Sequence, residues 1–184
     1  MSVKDAGEKS PRLDNFQTWM KHAYCHLWDR HAMRRGPVLA VMGGLPASGK
    51  TPLLQGWMES FQQEEAAPFK MIVLEANKGE TPCQFFSRLG QTAGDIPRKR
   101  RSLYEVMQRL RNTLQIVKME LVAIDQAERL NKTILDCLRF YLYDNWKISL
   151  LLVGKPKLRG SSPQYEYFVS RIHFARGIEE FDEP

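Results

Sequence analysis

Residues 44–51 of this chain form the glycine-containing segment Gly-Leu-Pro-Ala-Ser-Gly-Lys-Thr, which only a few folds can accommodate. Gly44 and Gly49 permit a tight turn whose backbone N–H groups point inward, and such a turn can surround phosphate groups. The apolar run at residues 38–42 precedes it and has the pattern of a buried strand, while the residues after it have helical periodicity. A phosphate-binding loop requires this context between strand and helix. The segment therefore predicts a strand, a phosphate-binding loop and a helix in succession.

We expect this loop to bind ATP together with Mg²⁺. Lys50 would reach the terminal phosphates as a point charge, and the Thr51 hydroxyl can ligate the metal ion. Pro52 lies just inside the following helix, where a missing N–H is tolerated. The predicted nucleotide-binding residues are Gly44, Leu45, Pro46, Ala47, Ser48, Gly49, Lys50, Thr51 and Pro52.

An acidic residue of the same site is predicted at Asp125, which follows directly after the apolar strand at residues 121–124. An aspartate at the end of such a strand is a plausible partner for the magnesium ion, so Thr51 and Asp125 are the predicted metal ligands. The alternative is that Asp125 caps the next helix. Lys50, Asp125 and Gln126 are assigned to catalysis.

Gln126 follows Asp125, where many ATPases carry a glutamate that polarises the attacking water. An amide can orient water but cannot accept its proton, so we expect hydrolysis of ATP to be impaired. Glu128 could substitute for that glutamate, but it stands two positions further on and would point elsewhere. A solvent-exposed Glu128 is the simpler interpretation.

The rest of the chain alternates between strand and helix patterns, which predicts an α/β fold with a mostly parallel central sheet and helices on both faces. An N-terminal helix ends before Gly36, and two later helices begin at Thr81-Pro82 and at the capping box of Ser102 and Glu105. A further helix is predicted over residues 134–142. The predicted strands are 38–42, 71–74, 121–124 and 148–153, with 171–174 as a short last strand.

Length and composition fit one globular unit, because 184 residues can bury a sizeable core. We expect residues 1–13 to be disordered, residues 14–176 to form the ATPase core and residues 177–184 to be a solvated acidic tail. The sequence has no run long enough to cross a membrane and no secretory signal, and its 3 cysteines cannot form a complete disulfide framework. These features favour the cytoplasm.

The chain carries a net charge of +6, which favours polyanionic partners. Its densest basic run is a predicted connector between helices, and we assign it to the phosphate backbone of double-stranded DNA. A solvated loop is an equally good interpretation of the same run. The predicted DNA-binding residues are Arg98, Lys99, Arg100 and Arg101.

Four segments in order resemble the AAA+ ATPases of the TniB/TnsC type, which regulate DNA transposition. They are an N-terminal helix, the loop at 44–51, the run Leu-Val-Ala-Ile-Asp-Gln-Ala-Glu-Arg-Leu at 121–130, and Leu-Leu-Val-Gly-Lys-Pro-Lys-Leu at 151–158. The resemblance extends over residues 16–174. It implies ATP-dependent rings or filaments on duplex DNA that link a target-site selector to the transposase. It also implies that Arg171 reaches the nucleotide of a neighbouring subunit, whereas the alternative is an ordinary surface arginine.

The sequence departs from this family at three places. Gln126 replaces the usual glutamate, Lys155 stands where a sensor threonine or asparagine is usual, and the chain ends before the helical lid. Together they suggest that ATP is bound but hydrolysed slowly or not at all. Two alternatives stay open: an adaptor that binds nucleotide without assembling on DNA, and a small P-loop kinase, for which Glu75 is the acidic residue at the end of the second strand.

Overall fold

A single sheet of parallel strands organises the computed structural model, which describes residues 15, 18, 36–63, 70–96, 102–155 and 171–177. The strand order is β2-β3-β4-β1-β5, and each neighbouring pair is parallel. The predicted parallel sheet is therefore confirmed. The strands are β1 (Leu39–Gly43), β2 (Lys70–Glu75), β3 (Met119–Asp125), β4 (Ser149–Gly154) and β5 (Phe174–Gly177).

Within the described ranges, helices lie between successive strands from β1 to β4, because parallel neighbours need crossover connections. Asn15 and Thr18 are helical, and the rest of the predicted N-terminal helix lies outside the described residues. A short 3₁₀ turn, Ala127–Arg129, follows β3 directly. The α-helices are α1 (Lys50–Gln63), α2 (Pro82–Thr92), α3 (Leu103–Ile116) and α4 (Lys132–Cys137), and α4 continues as a π-helix over Leu138–Asn145.

The sheet has helices on both faces, as its alternating side chains require. In β1, Ala40 and Met42 belong to a cluster under α1 that includes Leu54 and Trp57. Leu39 points to the opposite face, where the larger cluster contains buried residues of α2, α3 and α4. Because β1, β3 and β4 are buried on both faces, they are almost uniformly apolar.

The starts of α2 and α3 are fixed by their caps. The Thr81 hydroxyl accepts a hydrogen bond from the backbone N–H of Gln84, and the Gln84 side chain accepts one from the N–H of Thr81. Ser102 and Glu105 make the same reciprocal pair at α3. The capping box predicted at Ser102 is confirmed, and the one at Thr81 is complete as well.

The last strand begins later than predicted: β5 is Phe174–Gly177 rather than residues 171–174. His173 explains the difference, since its Nδ1 accepts the backbone N–H of Leu39 at 3.1 Å. The Leu39 N–H is the β1 donor to which a residue before His173 would have to pair, and the His173 ring already occupies it. Regular pairing with β1 therefore starts at Phe174, opposite Ala40.

The helix predicted over residues 134–142 changes type at Leu138. Within the π-helical part the Trp146 N–H bonds to Tyr141 O at 2.8 Å, a five-residue spacing. Arg139 and Asp144 have the same spacing and form an ion pair at 3.0 Å. The side-chain pair thus matches the wider helical turn.

The sheet brings the carboxyl ends of β1, β2, β3 and β4 to one edge, because its strands are parallel. Glu75 at the end of β2 lies directly opposite Asp125 at the end of β3. Gly43 at the end of β1 lies opposite Gly154 at the end of β4. None of the helices in the described ranges combines the length and the apolar character of a membrane span.

Candidate functional site

The loop at residues 44–49 joins β1 to α1 at the carboxyl edge of the sheet. The Gly44 N–H donates to Gly154 O at 3.0 Å, which ties the start of the loop to β4. Ala47 and Gly49 have φ angles of 60° and 88°, in the left-handed region that turns a backbone sharply. The Leu53 N–H bonds to Gly49 O at 3.0 Å, so helical bonding begins at the end of the loop.

Lys50 lies in the first turn of α1, and its ammonium group folds back over the loop. Its Nζ donates to Gly44 O at 2.9 Å, to Leu45 O at 2.5 Å and to Ser48 Oγ at 3.1 Å. The Ser48 hydroxyl in turn donates to Leu45 O at 2.7 Å. The loop and its lysine thus form one compact unit at the positive end of the α1 dipole, an environment that favours anions.

Thr51 and Asp125 come together at this edge although they are far apart in the sequence. The Thr51 hydroxyl donates to Asp125 Oδ2 at 2.5 Å. Asp125 is only 4% exposed, and its Oδ1 accepts the N–H of Gln126 at 2.8 Å. A carboxylate that is this deeply buried is normally paired or ligates a metal ion, so its position argues for a role beyond solubility.

The Gln126 side chain makes a hydrogen bond to the end of β2. Its backbone is left-handed, with φ of 53°, and its Nε2 donates to Glu75 Oε1 at 2.6 Å. The same Glu75 oxygen pairs with Arg129 Nη1 at 3.2 Å, and this guanidinium nitrogen also donates to Ala76 O at 3.4 Å. The Gln126 amide is therefore bound to the Glu75 carboxylate, and that carboxylate is in turn paired with the Arg129 cation.

Glu128 and Lys155 form a second link across the edge. The Lys155 backbone N–H, just after β4, donates to Glu128 Oε2 at 3.2 Å. Glu128 is half-buried and its carboxylate thus lies against the end of β4. The simple expectation of a solvated Glu128 is only partly met, since one of its oxygens is hydrogen-bonded.

Arg171, the residue predicted to act on a neighbouring subunit, forms an ion pair within its own chain. Its Nε lies 3.3 Å from Asp144 Oδ1, and Asp144 also pairs with Arg139. The structure thus joins Arg171 to the π-helix, away from the 44–51 loop. The basic run Arg98, Lys99, Arg100 and Arg101 lies outside the described residues.

Glu75 was predicted from the sequence only as the acidic residue of the kinase alternative. Its signal was its place at the end of an apolar run, at the same kind of position as Asp125. What the sequence lacks is strand order. Only the pairing of β2 with β3 brings Glu75 against Gln126.

Comparison with known proteins gives one family match. A family model described as an AAA domain matches residues 33–161 of the 184-residue chain. No curated protein matches the chain.

Several solved structures share the fold. The Aeropyrum pernix ORC1 protein in complex with DNA matches with a TM-score of 0.67 at 16% identity, over 96% of this chain and 46% of that one. Cdc6p from Pyrobaculum aerophilum gives 0.64 at 16% identity, over 96% and 46%. The ADP form of the Aeropyrum pernix ORC2 protein gives 0.58 at 16% identity, over 82% and 44%.

The present chain thus spans less than half the length of each of these three proteins. At such low identity the likeness shows the fold alone. It confirms the predicted fold class, a central parallel sheet with helices on both faces and a phosphate-binding loop after β1.

Proposed function

The chain belongs to the AAA domain family, and we propose that its loop at residues 44–52 binds ATP together with Mg²⁺. One observation carries this proposal: the Thr51 hydroxyl lies 2.5 Å from the buried carboxylate of Asp125. The two oxygens approach each other beside the loop that holds Lys50, so one small volume offers N–H donors, a cation and two oxygen ligands. A nucleoside triphosphate with its metal ion needs this combination.

The donor set suits magnesium. Mg²⁺ takes oxygen ligands, and it is usually held by one or two protein oxygens plus phosphate and water oxygens. In the part of the chain that the structure describes, no group of three or more His, Cys, Asp or Glu residues could hold a metal ion. Thr51 and Asp125 would therefore hold Mg²⁺ only jointly with the phosphates of the nucleotide.

We further propose that the chain is a regulator of DNA transposition of the TniB/TnsC type, which assembles on duplex DNA when ATP is bound. The four segments of the resemblance support this, and so does the basic run at residues 98–101. One of the similar structures is in complex with DNA and another is in its ADP form, which fits a nucleotide-dependent DNA-binding function. Partners would be DNA, further copies of this chain, a target-site selector and a transposase.

The adaptor alternative is favoured by two contacts. Gln126 gives the magnesium site no carboxylate from its own position, and its amide is bound to Glu75. Arg171, the candidate for action in trans, pairs with Asp144 of its own chain. A protein with these contacts can use bound ATP as a structural ligand without forming a multisubunit site.

The test is to measure particle size by light scattering with and without Mg·ATP and duplex DNA. The intact protein is compared with Lys50→Ala and with a variant in which residues 98–101 are alanine. The regulator account predicts large particles only with ATP and DNA, and none in Lys50→Ala. Four phosphate contacts per subunit would give a log-affinity against log-salt slope of about −3.6 on duplex DNA, and the alanine variant should lose most of it.

A protein that binds ATP yet stays small and ignores DNA is the adaptor. Phosphate that appears on an added small-molecule acceptor instead of in water would identify the kinase. Transfer of phosphate and assembly on DNA are separate readouts, so the three functions are distinguishable in one series of samples.

A further inference from the structure

We propose that Glu75, at the end of β2, is the carboxylate that accepts a proton from the water attacking ATP, in place of the glutamate that position 126 lacks. This inference rests on the proposed ATP site and concerns its chemistry. Slow hydrolysis of ATP would then depend on a residue of β2, the strand next to β3. Gln126 then has the part of a positioning residue.

The contacts that carry the inference surround a single oxygen atom. Glu75 Oε1 accepts Gln126 Nε2 at 2.6 Å and lies 3.2 Å from Arg129 Nη1. The Gln126 amide occupies the sequence position from which a glutamate would polarise water, and Glu75 is within hydrogen-bond distance of that amide. A glutamine and a glutamate thus form one pair in which the carboxylate belongs to β2.

Backbone pairing between β2 and β3 fixes the positions of Glu75 and Gln126. Glu75 and Asp125 are direct partners in the β2 and β3 ladder, and the Ala76 N–H continues the pairing to Asp125 O at 2.9 Å. The backbone of Arg129 belongs to the 3₁₀ turn, and its guanidinium group bonds to both Glu75 and Ala76 O. Glu75 therefore has a defined place beside the metal-binding edge while its side chain stays 54% exposed and open to water.

Glu128 is the rival carboxylate, and its contacts point elsewhere. Its Oε2 accepts the backbone N–H of Lys155, after β4. Among the hydrogen bonds of the described residues, none joins Glu128 to the Gln126 side chain, whereas one joins Glu75 to it. Glu128 is better placed to hold the end of β4 than to share a water molecule with Gln126.

The step balances as an ordinary hydrolysis. A water molecule held by the Gln126 amide gives one proton to the Glu75 carboxylate, and its oxygen forms a bond to the γ-phosphorus. The bond between the γ-phosphorus and the β–γ bridging oxygen breaks, and ADP takes the electron pair. The proton then returns from Glu75 to solvent or to the released phosphate, and no oxidant or reductant is needed.

The experiment compares Glu75→Gln with Glu128→Gln and with the exchanged pair Glu75→Gln/Gln126→Glu. The matched control is Glu120→Gln, because Glu120 also joins β3 to β2, through Lys70 N, but at the opposite edge of the sheet. Phosphate release from Mg·ATP gives turnover. Affinity for a fluorescent ATP analogue and the melting temperature of each variant are measured in parallel.

We expect Glu75→Gln to lower turnover by about 100-fold or more, as loss of a general base does, while its ATP affinity stays within about threefold of the parent. The exchanged pair should regain at least about tenfold over Glu75→Gln, because it restores one carboxylate to the same hydrogen-bonded pair. Glu120→Gln and Glu128→Gln should keep most of the parent rate.

Three results would overturn the inference. The first is a Glu75→Gln variant that turns over ATP at the parent rate. The second is loss of turnover in Glu128→Gln alone, and the third is a parent protein that binds ATP and releases no phosphate. Absence of ATP binding in the parent protein would instead remove the proposed function itself. The affinity measurement distinguishes that case from the other three.

Discussion

Replacing Asp125 with asparagine should remove the magnesium-dependent part of ATP binding and leave the fold in place. The carboxylate is 4% exposed and accepts two hydrogen bonds, from the Thr51 hydroxyl and the Gln126 N–H. Asparagine keeps an oxygen for the Gln126 N–H, and the Thr51 hydroxyl can reverse to accept from the new amide. Since hydrogen bonds to charged groups contribute roughly 1.5–3 kcal/mol, we expect a loss of about 1–2 kcal/mol in unfolding free energy.

The effect on the liganded protein is larger. Mg·ATP at about 100 times its Kd stabilises a folded protein by roughly 2.7 kcal/mol, which raises the Tm of a domain of this size by about 5–11 °C. If Asp125→Asn weakens Mg·ATP binding about 100-fold, the same concentration equals the Kd, and the Tm gain falls to about 1–2 °C.

The assay is thermal unfolding with ATP plus Mg²⁺ and with ATP plus a chelator. Asp95→Asn is the matched control, because Asp95 also pairs with another side chain, Arg109, but follows α2 away from the loop. The control should keep the full magnesium-dependent shift. If Asp125→Asn also keeps it, Asp125 is not a magnesium ligand and the site has been misassigned.

Three further predictions concern local structure. Ser102→Ala removes the cap of α3 and should cost about 1 kcal/mol in urea unfolding; an unchanged midpoint would contradict the role of the capping box with Glu105. Lys118→Gly should stabilise the protein by about 1 kcal/mol, because Lys118 has a left-handed φ of 53° just after the Val117 cap, and a loss of stability would contradict this. Burial, with help from the Asp136 charge, raises the pKa of the Cys137 thiol, so its thiolate is scarcer at neutral pH. A thiol reagent should label Cys137 more slowly in the folded than in the urea-unfolded protein at pH 7.5, and equal rates would contradict the assigned burial.

Local patterns were enough to predict the elements that build the site. The loop at 44–51 needs its glycines, lysine and threonine at fixed spacing, so its position between β1 and α1 could be predicted from the sequence. The Ser102 cap was equally local. The end of β3 at Asp125 was visible because an apolar run stops there.

The remaining features depend on contacts between distant parts of the chain. Strand order decides that Glu75 faces Gln126, and periodicity carries no information about strand order. The π-helix depends on five-residue hydrogen bonds that have no distinct apolar pattern, so residues 134–142 looked like an ordinary helix. The late start of β5 depends on the His173 ring bound to Leu39 N–H, a contact between residues that are 134 positions apart in the sequence.

Calorimetric titration of Mg·ATP into the parent protein, Lys50→Ala and Lys147→Ala shows whether the loop at 44–52 is an ATP site. Lys147 is a matched control because it also donates from Nζ to backbone oxygen, but just before β4, at the other edge of the sheet. We expect saturable binding to the parent protein. Lys50→Ala should weaken this binding by about 10–100-fold, as loss of a charge-assisted hydrogen bond implies, and Lys147→Ala should leave it unchanged. Absence of binding to the parent protein, or equal affinities for the parent and Lys50→Ala, would contradict the proposed ATP site.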